Sequence, residues 1–155
     1  MVLSAPVFEH TFRARRQPHS RPTVPSDRNP HAEPLLLGME ALDARHARAT
    51  VRFGAEQCAG HFDGYPAVPI ARLAQGLVSL AGRLYQHRSG EADAPFAVLR
   101  ADIRAKKLAF AGAPLVLCAE HARDRGEEAG MRCRAKLADG STVAELELWM
   151  AKAGA

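Results

Sequence analysis

Pro69-Ile70-Ala71-Arg72-Leu73-Ala74-Gln75-Gly76-Leu77-Val78-Ser79-Leu80-Ala81-Gly82-Arg83-Leu84 is the stretch that decides the fold. Ile70, Leu73, Leu77, Leu80 and Leu84 recur every three or four positions, the spacing of one apolar stripe on an α-helix. Ala74, Val78 and Ala81 widen that stripe, so the helix is expected to be buried on much of its circumference. Pro69 suits the start, where no backbone donor is needed. His87 and Arg88 suit the negative pole, and Ser89-Gly90 ends the helix. Gly76 and Gly82 would let it approach a sheet closely, though glycine inside a helix costs about 1 kcal/mol.

On the N-terminal side, residues 47–53 alternate: Ala49, Val51 and Phe53 on one face, Arg48, Thr50 and Arg52 on the other. That pattern predicts a strand. Residues 34–37 form a compact apolar run, and residues 54–69 read as a Gly- and Pro-rich loop. On the C-terminal side everything reads as strand and turn. Residues 96–110 are a long irregular strand candidate, and residues 111–114 break it. Strands are predicted at 115–121, 131–137 and 143–150, with a charged connection at 123–130 and an Asp139-Gly140 turn. One long apolar helix among antiparallel strands predicts an α+β fold in which a single sheet wraps around a central helix.

Residues 1–33 read as a separate arm ahead of a domain at 34–155. Pro6, Pro18, Pro22, Pro25 and Pro30 interrupt regular structure there, and Arg13, Arg15, Arg16, Arg21 and Arg28 add charge. Val7, Phe8 and Phe12 suit a short docked strand; a mobile arm fits equally.

The chain has 155 residues, is 47% hydrophobic and 25% charged, and carries a net charge of +4. This is the balance of one globular domain. The mild excess of base suits an acidic partner, and nothing interleaves basic runs with aromatics as nucleic-acid binding would need. Cys58, Cys118 and Cys133 form no framework and read as buried apolar residues of a reducing compartment. No stretch approaches the ~20 apolar residues of a membrane span. With no signal peptide apparent, the cytoplasm is the expected location. The histidines show no metal-ligand spacing, so no metal is expected, and Ser79 and Ser141 lack a nucleophile-elbow context.

The segment Gly60-His61-Phe62-Asp63-Gly64-Tyr65-Pro66-Ala67-Val68-Pro69 precedes the helix. It resembles the signature of the FabZ/FabA-type 3-hydroxyacyl-ACP dehydratases, matching at Gly60, His61, Phe62, Gly64, Pro66 and Pro69. Residues 101–107, 112–117, 139–140 and 144–146 resemble later segments of that family in the right order. The resemblance implies a hotdog fold working as a homodimer, or as a heterodimer with a paralogue. It implies no cofactor, because the substrate is an acyl chain held as a thioester on the phosphopantetheine of acyl carrier protein or on coenzyme A.

In the family the histidine removes a proton from the acyl chain, a helix carboxylic acid assists departure of the 3-hydroxyl, and a backbone N–H at the helix start polarises the thioester carbonyl. Those positions fall here on His61, Gln75 and Ile70. Gln75 is the departure: an amide holds an oxygen or a water but exchanges no proton near neutrality. Asp63 replaces a family proline; it could bond the imidazole, or simply cap the turn. Arg104, Lys106 and Lys107, with Arg72 expected nearby, read either as a contact for carrier or pantetheine phosphate or as a solvated strand edge. Three functions stay open at this point: an atypical dehydratase, a thioesterase on the same fold, and a non-catalytic acyl binder.

Overall fold

The computed structural model describes residues 35–59, 64 and 66–154. The arm at 1–33 lies outside the described residues, as do Gly60, His61, Phe62, Asp63 and Tyr65.

Six strands and one long helix follow in the order β1 (Gly38–Leu42), β2 (His46–Val51), α1 (Ile70–Ser89), β3 (Phe96–Ala105), β4 (Leu115–Arg125), β5 (Glu128–Leu137) and β6 (Thr142–Lys152). They form a single sheet of order β1-β2-β4-β5-β6-β3, antiparallel throughout. The helix runs mainly across β4 and its neighbours β2 and β5. It carries the chain from the β1-β2 side to β3 at the opposite edge.

The predicted stripe faces the sheet. Leu73, Leu77, Leu80 and Leu84 are buried, with Arg72, Gly76, Ala81 and Gly82 beside them. Each buried leucine contributes about 1.5–3 kcal/mol of apolar burial. Ala47, Ala49 and Val51 of β2 meet them, with Leu115, Leu117 and Ala119 of β4, Met131, Cys133 and Ala135 of β5, and Leu146, Leu148 and Met150 of β6. Among the described residues the helix is covered on one side, and Ala71, Gln75, Arg83 and His87 are exposed on the other. Pro69 precedes its first turn, and Gly90 ends it in the left-handed conformation with φ +74°.

The two helix glycines mark points of close approach. A Cβ on Gly76 would lie 2.9 Å from Leu35 Cδ2 and 3.1 Å from Leu117 Cδ1. One on Gly82 would lie 2.4 Å from Phe96 Cζ. Phe96 opens β3, so Gly82 is where the helix meets the sheet edge.

Three expectations change. Residues 38–42 form the edge strand β1, which lacks an alternating pattern because all five residues are exposed. The charged connection at 123–130 shrinks to Gly126-Glu127, since β4 and β5 extend as a hairpin beyond the core. The candidate at 96–110 divides: β3 ends at Ala105, the N–H groups of Lys106 and Lys107 both donate to Val143 O, and Phe110 pairs with Ala67.

Candidate active site

The loop before α1 is clamped at both ends to the segment that follows β3. Gly112 N–H donates to Phe53 O at 2.8 Å, and Arg52 Nη1 donates to Gly112 O at 2.9 Å. Ala111 N–H donates to Pro66 O, and Val68 N–H to Ala109 O, each at 2.8 Å. Inside the loop a 3-10 turn, Ala55–Cys58, buries Cys58 in the core. Gly64 adopts φ +73°, a left-handed turn that a side chain would strain. Gly64 and Pro66 are exposed, while Pro69 and Ile70 are half-buried at the helix start. The expected roles of His61 as base and of Gly60 and Phe62 in shaping the loop fall outside the described residues.

Pro69 makes no side-chain cap, and the first turn holds no acidic residue. Pro69 O accepts the N–H groups of Arg72 at 2.9 Å and Leu73 at 3.2 Å. The N–H groups of Ile70 and Ala71 therefore have no acceptor within the helix, as its geometry requires. This end offers donors and positive potential with no carboxylate of its own to answer them.

Gln75 lies one turn further, on the exposed side of the helix. Its Oε1 accepts a hydrogen bond from Arg72 Nη1 at 2.8 Å, and its backbone carbonyl accepts Ser79 Oγ at 2.8 Å. Arg72 is only 4% exposed. Its charge also reaches Cys58: burial pushes that thiol's pKa up, and the guanidinium partly opposes the rise. The i, i+3 spacing between Arg72 and Gln75 was the sequence signal for this bond.

No residue of α1 is a carboxylate, and among the described residues the buried polar or charged side chains are Arg72 and His121. His121, on β4, sits 2.7 Å from Asp124 Oδ1, and Asp124 Oδ2 is 3.6 Å from Arg88 Nη2. Arg88 lies in the last turn of α1, about 20 Å along the helix from Gln75 at 1.5 Å per residue. That histidine ties the opposite end of the helix to the sheet. Glu56, in the loop before α1, is exposed.

The basic cluster is interleaved with acids. Arg104 Nη2 lies 3.7 Å from Asp102 Oδ2, and Lys106 Nζ lies 3.6 Å from Glu145 Oε2. Lys107 acts on Asp139 through its charge. Two shallow surface depressions among the described residues lie away from Gln75. One is lined by Arg123, Gly130 and Trp149, the other by Asp102, Arg104, Glu145 and Glu147. Among the described residues no group of three or more His, Cys, Asp or Glu could hold a metal ion, and no helix is long and apolar enough to cross a membrane.

The sequence matches no family model and no curated protein. Solved structures do match. The PaaI protein of Escherichia coli, from the phenylacetic acid degradation operon, aligns with a TM-score of 0.64 at 14% identity, covering 76% of this chain and 80% of its own. A hypothetical thioesterase from Streptococcus pneumoniae, solved with coenzyme A, aligns with a TM-score of 0.64 at 13% identity over 77% and 87%. The smu.793 protein of Streptococcus mutans, bound to acetyl-CoA, aligns with a TM-score of 0.64 at 13% identity over 77% and 90%. With one antiparallel sheet crossed by one long apolar helix, and with these structural neighbours, the chain has the hotdog fold.

Proposed function

We propose that this chain acts on acyl groups held as thioesters, on coenzyme A or on an acyl carrier protein, and that it hydrolyses them. The observation that carries this reading is the donor array at the start of α1. Ile70 N–H and the Gln75 amide supply donors, Arg72 supplies charge, and the helix contributes no carboxylic acid. Such an array suits a thioester carbonyl oxygen as it gains negative charge. Water activated by His61 would attack the carbonyl carbon, and the thiolate would leave and take up a proton. The structural neighbours solved with coenzyme A and acetyl-CoA support the same substrate class.

A homodimer is part of the proposal. Gln75 is exposed in the single chain, and a hydrolytic thioester site needs one held water with bulk solvent kept away from its donors. β3 is an edge strand, and Val98 and Leu99 on it are 39% and 52% exposed. A second copy would cover that edge; a paralogue would do the same. Arg104, Lys106 and Lys107 follow on the same edge, where they would meet a carrier or a pantetheine phosphate.

The glycine–histidine loop favours a second reading, dehydration of a 3-hydroxyacyl thioester, with His61 taking the C2 proton and Gln75 holding the hydroxyl. Mass spectrometry after incubation with saturated, 3-hydroxyacyl and enoyl thioesters separates the two. Release of free acid supports hydrolysis. Loss or gain of one water with the thioester intact supports the dehydratase. No change in any substrate removes both and leaves an acyl binder. His61→Ala is expected to abolish turnover with the fold retained; turnover that survives it places the chemistry elsewhere.

A further inference from the structure

We propose that Arg72 is a positioning residue whose guanidinium locks the Gln75 amide into a donor-only orientation. The inference rests on the reading above, in which Gln75 faces the thioester, and adds what Gln75 can do there.

A guanidinium carries five N–H donors and no acceptor. The amide atom 2.8 Å from Arg72 Nη1 must therefore be oxygen, because a flipped amide would set donor against donor. The two N–H bonds of Nε2 then point away from Arg72. An exposed glutamine would ordinarily rotate freely. Here its oxygen is held by a charge-assisted bond, roughly twice as strong as a neutral one. Arg72 is 4% exposed, so water screens that charge poorly from the donor side. The cation also draws electron density from the amide oxygen and strengthens the N–H donors. Cys58 also feels the Arg72 charge, and burial favours its neutral thiol.

Two consequences follow. Gln75 donates to an oxygen that gains negative charge and does not take a proton from attacking water. A carboxylate introduced by Gln75→Glu would be held ionised by Arg72, and so would be a poor proton donor. Restoring an acid at this position requires removing the arginine as well. The residues at 72 and 75 form a matched pair.

The test uses the whole protein and needs no turnover. The side-chain amide proton resonances of Gln75 are identified by their loss in Gln75→Glu. In Arg72→Met they are expected to move to positions typical of a solvent-exposed glutamine, with Arg72→Lys intermediate. Resonances unmoved in Arg72→Met overturn the proposal. Should Arg72→Met fail to fold, the carboxyl titration in Gln75→Glu decides. Its midpoint is expected about one unit or more below the ordinary glutamate value; a midpoint at or above that value overturns the pairing.

Kinetics supply the functional arm. Arg72→Met is expected to lower kcat at least about tenfold with KM little changed, and Arg72→Lys to recover part of it. A rise in KM alone would show that Arg72 serves binding and not amide orientation. If the resonances behave as expected while the wild-type protein leaves every thioester unchanged, the pairing stands and the proposed function fails.

Discussion

Gly82 presents bare backbone to the ring of Phe96, so closely that a single added carbon would lie 2.4 Å from Cζ and 2.6 Å from Cε1. The contact joins the middle of α1 to the first residue of β3, the strand at the sheet's edge. Gly82→Ala gains about 1 kcal/mol of helix propensity but forces the ring aside, which costs about 1–3 kcal/mol. We expect a net loss of about 1 kcal/mol by urea denaturation. In a Phe96→Ala background the same change should stabilise instead. Equal effects in both backgrounds would show that the ring is free to shift.

The cysteines should differ in reactivity. Burial pushes the Cys133 thiol up to about 12, with the neighbouring Cys118 adding to the rise. The thiolate is the nucleophile, so at pH 8 about one Cys133 in ten thousand would be reactive. Cys58 is also buried and its pKa is raised, whereas Cys118 is partly exposed. Alkylation of the native protein is expected to label Cys118 first, read by peptide mass spectrometry. Early labelling of Cys133 would mean that the sheet opens locally.

Acid should weaken the fold through three surface carboxylates. Asp43 accepts the N–H groups of Arg45 and His46, Asp139 accepts the N–H and hydroxyl of Ser141, and Glu40 is bonded by Thr50 and Arg48. Each bond favours the ionised form, so each folded pKa lies below its ordinary value. The stability they contribute is complete above the unfolded pKa values, about 4. It is lost as pH falls through the lower folded values. Asp43→Asn combined with Asp139→Asn should therefore lower the urea midpoint at pH 7 and leave it nearly unchanged at about pH 2. A constant difference at all pH values would assign the effect to shape instead of charge.

Leu99 tests the proposed pairing of two copies. It is the extra residue where the register of β3 against β6 shifts, between Val98 and Arg100, and it is 52% exposed. Leu99→Lys is expected to weaken self-association at least about tenfold, the equivalent of roughly 1.4 kcal/mol. Sedimentation across a concentration series reads the change. A wild-type protein that stays monomeric at every concentration would remove the dimer.

What the sequence revealed follows from where each residue lies. The helix was legible because Leu73, Leu77, Leu80 and Leu84 all meet the core, and burial imposes their spacing. β2 was legible for the same reason, through Ala47, Ala49 and Val51. β1 was not, because an edge strand exposed at every position leaves no alternation to read. The outer ends of β4 and β5 were hidden in the same way: Arg123, Asp124 and Arg125 project beyond the core and are charged in succession. At the candidate site, counting from the glycine–histidine loop singled out Gln75 as an expectation, but its bond to Arg72 was obscured. Arginine is so often a surface residue that nothing in the spacing marked this one, three positions from Gln75, as buried.

The strand order has a consequence for the growing chain. Among the described residues β3 bonds only to β6, which comes later in the chain, so residues 96–105 wait for residues 142–152 before their backbone groups can pair. Contacts this distant in sequence slow folding and leave an apolar edge uncovered meanwhile. Ribosome-bound chains stopped before β6 should be captured readily by chaperones and cut by protease near Leu99, while released chains should resist both.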